Sequence, residues 1–295
     1  MTKARLLPLL LLLLALPAEA AVNVAATTSN LGMLGRTVGG DAVKVTVLAP
    51  PDRDPHTLQA RPSMMVALRN ADLLVSVGAE LEQGWLPAAL QGASNPKILP
   101  GQQGYFEACA QVSLIDRSSA SDRSRGDVHP MGNPHVFLDP ERMTAVGRAL
   151  ADRLGKLDPA GAARFRANAD QFGKAAAERV AKWKAAAAGA PGVVLYHQDA
   201  NYLLALLGVP VLGYVEPLPG IPATAEHLSG LVAQLKGKKG AVLFTEYQAA
   251  QGPDFLARNL GWPKVRLGLE AGLNADAGAY FAMIDRWVAA VASAK

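Results

Sequence analysis

Short β-branched runs alternate with helix-forming segments along almost the whole chain, and this alternation constrains the fold more than any other feature. The first half has strand-like runs at 22–27, 43–48, 72–77 and 97–99. Such alternation is typical of parallel sheets with helices on both faces. The rhythm resumes after residue 192, with strand-like runs at 193–196, 209–214, 241–244 and 264–267. The sequence therefore predicts two α/β regions.

A long helical segment separates the two regions. Asp139-Pro140 and Asp158-Pro159 each place an N-cap carboxylate before a proline at the first helical position. The second of these helices continues to Ala188 without an internal proline. We expect two doubly wound α/β lobes joined by one long rigid helix. The expected boundaries are 21–157 for the N-terminal lobe, 158–188 for the helix and 189–295 for the C-terminal lobe.

The first twenty residues are typical of a secretory signal peptide. Lys3 and Arg5 precede an apolar run over 6–16, and Ala18-Glu-Ala20 supplies a small-residue cleavage site. The run is far shorter than the roughly 20 residues of a membrane-spanning helix. We expect residues 1–20 to be removed on export. No cysteine stands at the cleavage point, so the usual lipid attachment is excluded there.

Charge and cysteine content exclude several other classes of protein. The formal net charge is +4, from 29 Lys and Arg against 25 Asp and Glu, and no extended basic run is present. Nucleic acid is therefore not an expected partner, because such binding needs a concentrated basic face. The single cysteine, Cys109, allows no intramolecular disulfide. Stability must come from packing.

The five histidines carry the functional information. His56, His135 and His197 each lie near the end of a predicted strand or in a loop beside one, where ligands bind in doubly wound sheets. His56 and His135 also follow a proline, which limits the entropy lost in fixing a side chain. Imidazole is a common zinc ligand, but a single histidine is more often structural, and no short metal-binding signature is present. We expect His227 to be structural. His129 suits a supporting role or a ligand role.

Several longer motifs resemble the metal-binding receptors of zinc and manganese ABC importers, the ZnuA/TroA-like periplasmic proteins. They are DPHTLQARPS (54–63), ADLLVSVG (71–78), NPHVFLDP (133–140), YHQDANY (196–202), EPLPGIP (216–222) and FTEYQ (244–248). The resemblance covers nearly the whole mature chain, in order. It implies two α/β lobes joined by a long rigid helix, with a metal site in the cleft between them.

The resemblance also implies a ligand set, with one departure. His56 and His135 are the ligands expected from the first lobe, and His197 is the ligand expected from the second. Family members commonly carry Asp-Pro-Leu after the penultimate strand, whereas this chain has KVRLGLEAG at 264–272. We expect Glu246 to be the fourth ligand, with Glu270, His129 or water as alternatives. The loop at 107–134 has only His129 where zinc receptors often have a His-rich insertion.

The expected function is capture of a divalent ion in the periplasm and its delivery to an inner-membrane ABC permease. The transported ion is expected to be Zn²⁺, because imidazole nitrogens favour zinc over manganese, with Mn²⁺ as the alternative. The receptor is expected to be a monomer and not an enzyme. A second alternative is an exported zinc hydrolase, in which three histidines leave one metal position open for water and Glu246 acts as the base.

Overall fold

Two four-stranded parallel sheets position the functional residues in the computed structural model, which describes residues 21–117 and 129–295. The first sheet contains β1 (Val22–Ala26), β2 (Val43–Val47), β3 (Leu73–Ser76) and β4 (Tyr105–Glu107). The second contains β5 (Val193–Leu195), β6 (Val211–Tyr214), β7 (Ala241–Thr245) and β8 (Lys264–Leu267). The strand orders are β2-β1-β3-β4 and β6-β5-β7-β8, so the two lobes share one topology.

Nine helices occur in the described part of the chain. They are α1 (Ser29–Gly39), α2 (Pro62–Arg69), α3 (Leu86–Ala93), α4 (Pro140–Leu157), α5 (Ala162–Ala187), α6 (Asn201–Leu207), α7 (Ala225–Leu235), α8 (Gln251–Leu260) and α9 (Ala277–Ala292). None of the helices within 21–117 and 129–295 combines the length and apolar composition needed to cross a membrane.

Both sheets are covered on both faces, which explains why their central strands are mostly apolar. All residues of β3 and β7 are buried. One cluster of buried side chains lies under α1 and α4, and a second packs beneath α2 and α3. In the second lobe, α7 and α8 cover a separate cluster that includes Val242 and Trp262. The predicted fold, two α/β lobes with a long helix, is confirmed.

Helix α5 packs against elements of both lobes. It contacts α1 and α4 of the first lobe, and α6 and α9 of the second. The largest hydrophobic cluster is therefore continuous, running from Val24 in β1 through Phe172 in α5 to Trp287 in α9. A shared core of this kind opposes relative movement of the lobes, because movement would expose apolar surface.

Two local predictions differ from the structure. The segment 97–99 is not a strand: Asn95 Oδ1 accepts a hydrogen bond from Lys97 N at 3.1 Å and Pro96 begins a 3₁₀ turn, while the fourth strand is β4. Of the two predicted N-caps, the one at Asp139 is present at the start of α4, where Asp139 Oδ1 accepts a hydrogen bond from Glu141 N at 2.8 Å. Asp158 instead ends α4, and α5 begins three residues beyond Pro159, at Ala162.

Other predictions concern residues that the structure does not describe. The predicted signal peptide, 1–20, lies outside the described residues, as does the middle of the predicted 107–134 loop. The lobe boundaries drawn at 157 and 188 stay predictions.

Candidate metal site

The first two histidines are held by the same local device. His56 lies in the loop after β2, and Asp54 Oδ1 accepts hydrogen bonds from its backbone N at 2.9 Å and from its Nδ1 at 2.7 Å. His135 precedes a 3₁₀ turn, and Asn133 Oδ1 accepts from its backbone N at 2.9 Å and its Nδ1 at 2.7 Å. Both sequences read Asx-Pro-His, in which the Asx side chain closes a turn onto the backbone two residues later. Each Nε2 is thereby aimed away from its own loop.

His197 comes from the second lobe. It follows β5, and its Nδ1 donates to Glu216 Oε2 at 2.9 Å. The same carboxylate oxygen accepts from Gly220 N at 3.0 Å, which fixes the EPLPGIP loop against the histidine. In all three histidines an oxygen atom accepts a hydrogen bond from Nδ1. Once Nε2 is deprotonated, an imidazole held in this way presents the Nε2 lone pair to a metal.

The three predicted histidine ligands converge on one point between the lobes. Their ligand nitrogens all lie within 4.8 Å of one another, and their ring centroids are 5.2–5.5 Å apart. Nε2 of His135 and Nε2 of His197 are buried and have no hydrogen-bond partner among the described residues. An unpaired buried nitrogen is costly, whereas a metal ion provides such a nitrogen with a partner. The three side chains therefore have the arrangement of a metal site.

Asp199 is the site residue that the sequence reasoning missed. Its buried Oδ1 lies 3.6 Å from His135 Nε2 and accepts no hydrogen bond from any described residue, while Oδ2 accepts from Gln248 Nε2 at 2.7 Å. The available signal was its position two residues after His197, in the 3₁₀ turn that follows the strand. A carboxylate this close to a strand-end histidine was a candidate for the missing fourth ligand.

Glu246 does not join the three histidines. Its side chain is exposed and lies beside Gly268. Its backbone N continues the strand pairing by donating to Leu267 O at 3.1 Å. The following turn is closed by Gln248, whose Oε1 accepts from Thr245 N at 2.7 Å. Gln248, and not Glu246, thus reaches the site through Asp199.

Glu270, the first alternative, is also placed elsewhere. Its Oε2 accepts from Asn30 N at 2.6 Å, at the start of α1, so this second-lobe carboxylate caps a first-lobe helix. Burial raises the pKa of Glu270 to about 8, although hydrogen bonds from Asn30 and Ser29 favour the charged form. Asn30 adds further links, donating from Nδ2 to Leu269 O at 3.0 Å and accepting at Oδ1 from Ala271 N at 3.0 Å.

His129, the second alternative, lies at the edge of the cluster. Its Nε2 is 3.3 Å from His56 Nε2, and its Nδ1 is 3.1 Å from Ala79 O. The fifth histidine, His227, lies on α7, where its Nε2 contacts Tyr214 O at 2.9 Å. His227 has the structural position that the sequence indicates.

Carboxylates surround the cluster and set its electrostatics. Burial and the neighbouring histidines hold the pKa of His135 well below its ordinary value. Burial also lowers the pKa of His197, but the nearby charges of Asp199, Glu216 and Asp54 outweigh it and raise that pKa to about 9. The negative surroundings that stabilise an imidazolium at His197 stabilise a bound cation for the same reason.

The cavity at this site is small. It has a volume of about 50 Å³ and is lined by Asp54, His56, His197, Asp199, Tyr247 and Gln248, among others. A wider cleft of about 540 Å³ adjoins it and shares only Asp54 and Tyr247 with the small cavity. The inner cavity accommodates an ion.

Comparison with known proteins agrees with this geometry. The family model described as zinc-uptake complex component A, periplasmic (ZnuA), matches residues 24–294. The chain belongs to the ZnuA family. It is 27% identical over 252 residues to the high-affinity zinc uptake system protein ZnuA of Yersinia pestis, covering 80% of this chain and 79% of that protein.

Other members of the group differ in their named metal. An iron ABC transporter substrate-binding lipoprotein, MtsA of Streptococcus pyogenes, is 24% identical over 82% of this chain and 77% of its own length. The structure of the solute-binding protein FpvC from Pseudomonas aeruginosa in complex with Mn²⁺ superposes with a TM-score of 0.76 at 25% identity, covering 93% of this chain and 98% of that one. Family membership therefore establishes a metal ABC transporter substrate-binding protein without fixing the ion.

Proposed function

We propose that this ZnuA-family protein captures one divalent ion, Zn²⁺ in preference to Mn²⁺, and delivers it to an ABC importer permease. The observation that carries the proposal is the convergence of three imidazole nitrogens from two lobes within 4.8 Å of one another. Two of these nitrogens, on His135 and His197, are buried without a partner among the described residues. A metal ion is the ligand that satisfies all three.

The proposed ligands are His56, His135 and His197, with Asp199 supplying the carboxylate. Asp199 is nearly fully buried and its Oδ1 faces His135 Nε2 at 3.6 Å. Metal binding removes the cost of leaving this charge in the interior. The oxygen bonded by Gln248 stays in place, so the carboxylate is already oriented when the ion arrives.

The donor set supports zinc over manganese. Imidazole nitrogens suit zinc, whereas manganese sites favour carboxylate and water oxygens, and the Irving–Williams order places manganese lowest. One carboxylate beside three imidazoles is a set typical of zinc. The proposed preference for Zn²⁺ over Mn²⁺ therefore follows from the donor atoms of the ligands.

A zinc hydrolase is less well supported by the site. Pockets for organic ligands usually measure about 300–1,000 Å³. The cavity beside His197 and Asp199 measures about 50 Å³, and the wider neighbouring cleft is lined by none of the three histidines. Glu246, the base considered for hydrolysis, is exposed beside Gly268. These features favour binding and release over catalysis.

Export and delivery complete the proposal. Residues 1–20 have the pattern of a cleaved signal peptide without a lipid-attachment cysteine, so we infer a freely diffusing periplasmic receptor. We infer that it is a monomer, since each ligand comes from the same chain, and that it meets its permease at the inner membrane.

Metal content tests the proposal. Protein isolated from the periplasm without added metal should contain one zinc per chain by plasma mass spectrometry, and a chelator titration should rank Zn²⁺ above Mn²⁺. Protein that retains no divalent metal and fails to bind zinc in the titration would overturn the receptor function. Displacement of zinc by equimolar manganese would overturn the metal preference.

A further inference from the structure

The wider cleft beside the metal site has a volume that a single ion does not fill. It measures about 540 Å³ and is lined by residues 52–54 and 57–61, from the segment after β2, and by Tyr247, which follows β7. We call this space the outer cleft. Its volume lies in the range of about 300–1,000 Å³ that is usual for pockets that bind small organic molecules. The outer cleft therefore has room for an organic molecule next to the ion.

Two residues join the outer cleft to the ion cavity. Asp54 and Tyr247 line both spaces. Asp54 Oδ1 accepts from His56 Nδ1 at 2.7 Å, whereas Asp54 Oδ2 makes no hydrogen bond with a described residue. The ring of Tyr247 packs against the largest hydrophobic cluster. A cation that moves from the outer cleft to the histidines therefore passes between a carboxylate and an aromatic ring.

Two arginines in the outer cleft have no partner. Arg53 and Arg61 are exposed, and their guanidinium groups make no hydrogen bond or ion pair with a described residue. Arg148, which is also exposed, instead pairs with Asp170 at 3.0 Å. A guanidinium group binds a carboxylate through two parallel hydrogen bonds. Free arginines in a space of this size suit an organic molecule that carries carboxylates.

The rest of the lining supports a ligand with charges of both signs. Arg61 is the N-cap residue of α2 and supplies no acceptor to the first turn, so the positive end of this helix adds to the charge of the arginines. Asp52 and Asp54 contribute negative charge to the same lining. A metal ion bound to carboxylates has both parts, since its cation suits Asp54 and its carboxylates suit the arginines.

We propose that the outer cleft binds the small polycarboxylate chelator that carries the ion, so that the protein takes its metal from a metal–polycarboxylate complex. This inference rests on the proposed function and names the form in which the metal arrives. Arg53 and Arg61 hold the carboxylates of the chelator. The ion then passes between Asp54 and Tyr247 to the three histidines and Asp199.

The transfer is an exchange of ligands without a change in oxidation state. Each bond from the metal to a chelator oxygen that breaks is replaced by a bond to an imidazole nitrogen or to the carboxylate of Asp199. A proton displaced from an imidazole Nε2 passes to a released chelator carboxylate or to water. The arginines stabilise the negative charge that the chelator regains as the ion leaves, which favours the exchange.

The test uses citrate as the polycarboxylate and Co²⁺ as a coloured substitute for zinc. Stopped-flow absorption follows the appearance of protein-bound Co²⁺ after metal-free protein is mixed with Co²⁺–citrate. The variant is Arg53→Gln/Arg61→Gln. The matched control is Arg148→Gln/Arg166→Gln, which removes two exposed arginines of α4 and α5.

In the wild type and the control, the rate of transfer should reach a plateau as the concentration of Co²⁺–citrate rises, because the complex binds before the ion moves. In Arg53→Gln/Arg61→Gln, transfer from a dilute complex should be at least about tenfold slower, since hydrogen bonds between charged groups are lost. Entry of aqua Co²⁺ should not become slower, because removing positive charge favours the approach of a free cation.

A second variant separates bound carboxylates from general attraction of an anion. Arg53→Lys/Arg61→Lys keeps both positive charges but loses the paired hydrogen bonds of guanidinium. Transfer from Co²⁺–citrate should therefore also be slower in this variant. A calorimetric titration of metal-free protein should show citrate binding to the wild type and the control, and weaker binding to both cleft variants.

The outcomes distinguish this inference from the proposed function. Equal transfer rates from Co²⁺–citrate in the wild type and in Arg53→Gln/Arg61→Gln would overturn the chelator site, as would a wild type that does not bind citrate. Binding of aqua zinc by the same proteins would leave the receptor function intact. A wild type that takes zinc neither from water nor from citrate would overturn the proposed function, and this inference with it.

Discussion

Asp199 Oδ1 lies 3.6 Å from His135 Nε2, and neither of these buried atoms makes a hydrogen bond with a described residue. The two atoms belong to different lobes of the chain. A metal ion bound beside them would provide both atoms with a partner. This relationship is the basis for proposing Asp199 as the acidic ligand of the site.

Asp199→Asn should weaken zinc binding by about 10–100-fold. The amide preserves the shape of the side chain and a contact with Gln248 but removes the negative charge. Glu246→Gln is the matched control, since that exposed carboxylate lies beside Gly268, and it should leave the Kd unchanged. Calorimetric or chelator-competition titrations measure both. A larger loss in Glu246→Gln than in Asp199→Asn would restore Glu246 as the ligand.

Glu216→Gln should also weaken zinc binding by about tenfold, through His197. Glu216 Oε2 accepts from His197 Nδ1 at 2.9 Å, and such carboxylates orient the ring and raise its basicity. Glu226→Gln, an exposed carboxylate in the first turn of α7, is the control and should bind zinc as the wild type does. Equal affinities for Glu216→Gln and the wild type would show that the hydrogen bond does not tune His197.

Glu270 should make the metal-free protein less stable at high pH. Its pKa is raised to about 8 in the folded protein, so between the ordinary value of 4.5 and about 8 the folded state keeps a proton that the unfolded state loses. The stability contributed by this group is complete below pH 4.5 and falls as pH rises through 8.

Glu270→Gln, which resembles the protonated acid, should therefore gain stability relative to the wild type between pH 5 and pH 9. The expected gain is about 1–3 kcal/mol in the free energy of unfolding. Urea unfolding at both pH values measures it. A constant difference between wild type and variant across this range would mean that the carboxyl of Glu270 titrates normally.

Metal binding should change the angle between the lobes little. Helix α5 packs against both lobes, and Tyr280 Oη in α9 donates to Phe137 O at 2.9 Å in the first lobe. Opening the cleft would break these contacts and divide the shared core. Small-angle scattering profiles of metal-free and zinc-loaded protein should coincide within error. A clear decrease in the radius of gyration on adding zinc would indicate a flexible hinge.

The sequence predicted the sheets better than the loops, for a physical reason. Strands such as β7 are mostly apolar because they are buried on both faces, and that pattern is visible without the structure. The prediction of a strand at 97–99 was wrong because these residues follow Asn95-Pro96, which begins a 3₁₀ turn. Asn95 followed by Pro96 is a pattern typical of the start of a helical turn. The apolar residues Ile98 and Leu99 instead favoured the prediction of a strand.

The site was predictable to the extent that short local rules fix it. His56 and His135 were predicted as ligands because each lies near a strand end and follows a proline, and in the structure the Asx residue before that proline fixes the histidine. The proposed acidic ligand, Asp199, was harder to predict, because its orientation depends on a hydrogen bond from Gln248 in the turn after β7. That turn directs Gln248 toward Asp199 and leaves Glu246 exposed, and the side chain that faces the cleft follows from tertiary packing.

A crystal structure of the zinc-loaded protein, with anomalous diffraction collected at the zinc edge, tests the central claim most directly. The account predicts one anomalous peak between the lobes, at about 2.0–2.1 Å from Nε2 of His56, His135 and His197. A zinc-loaded crystal with no peak at these three nitrogens, or with its zinc held only by other side chains, would contradict it.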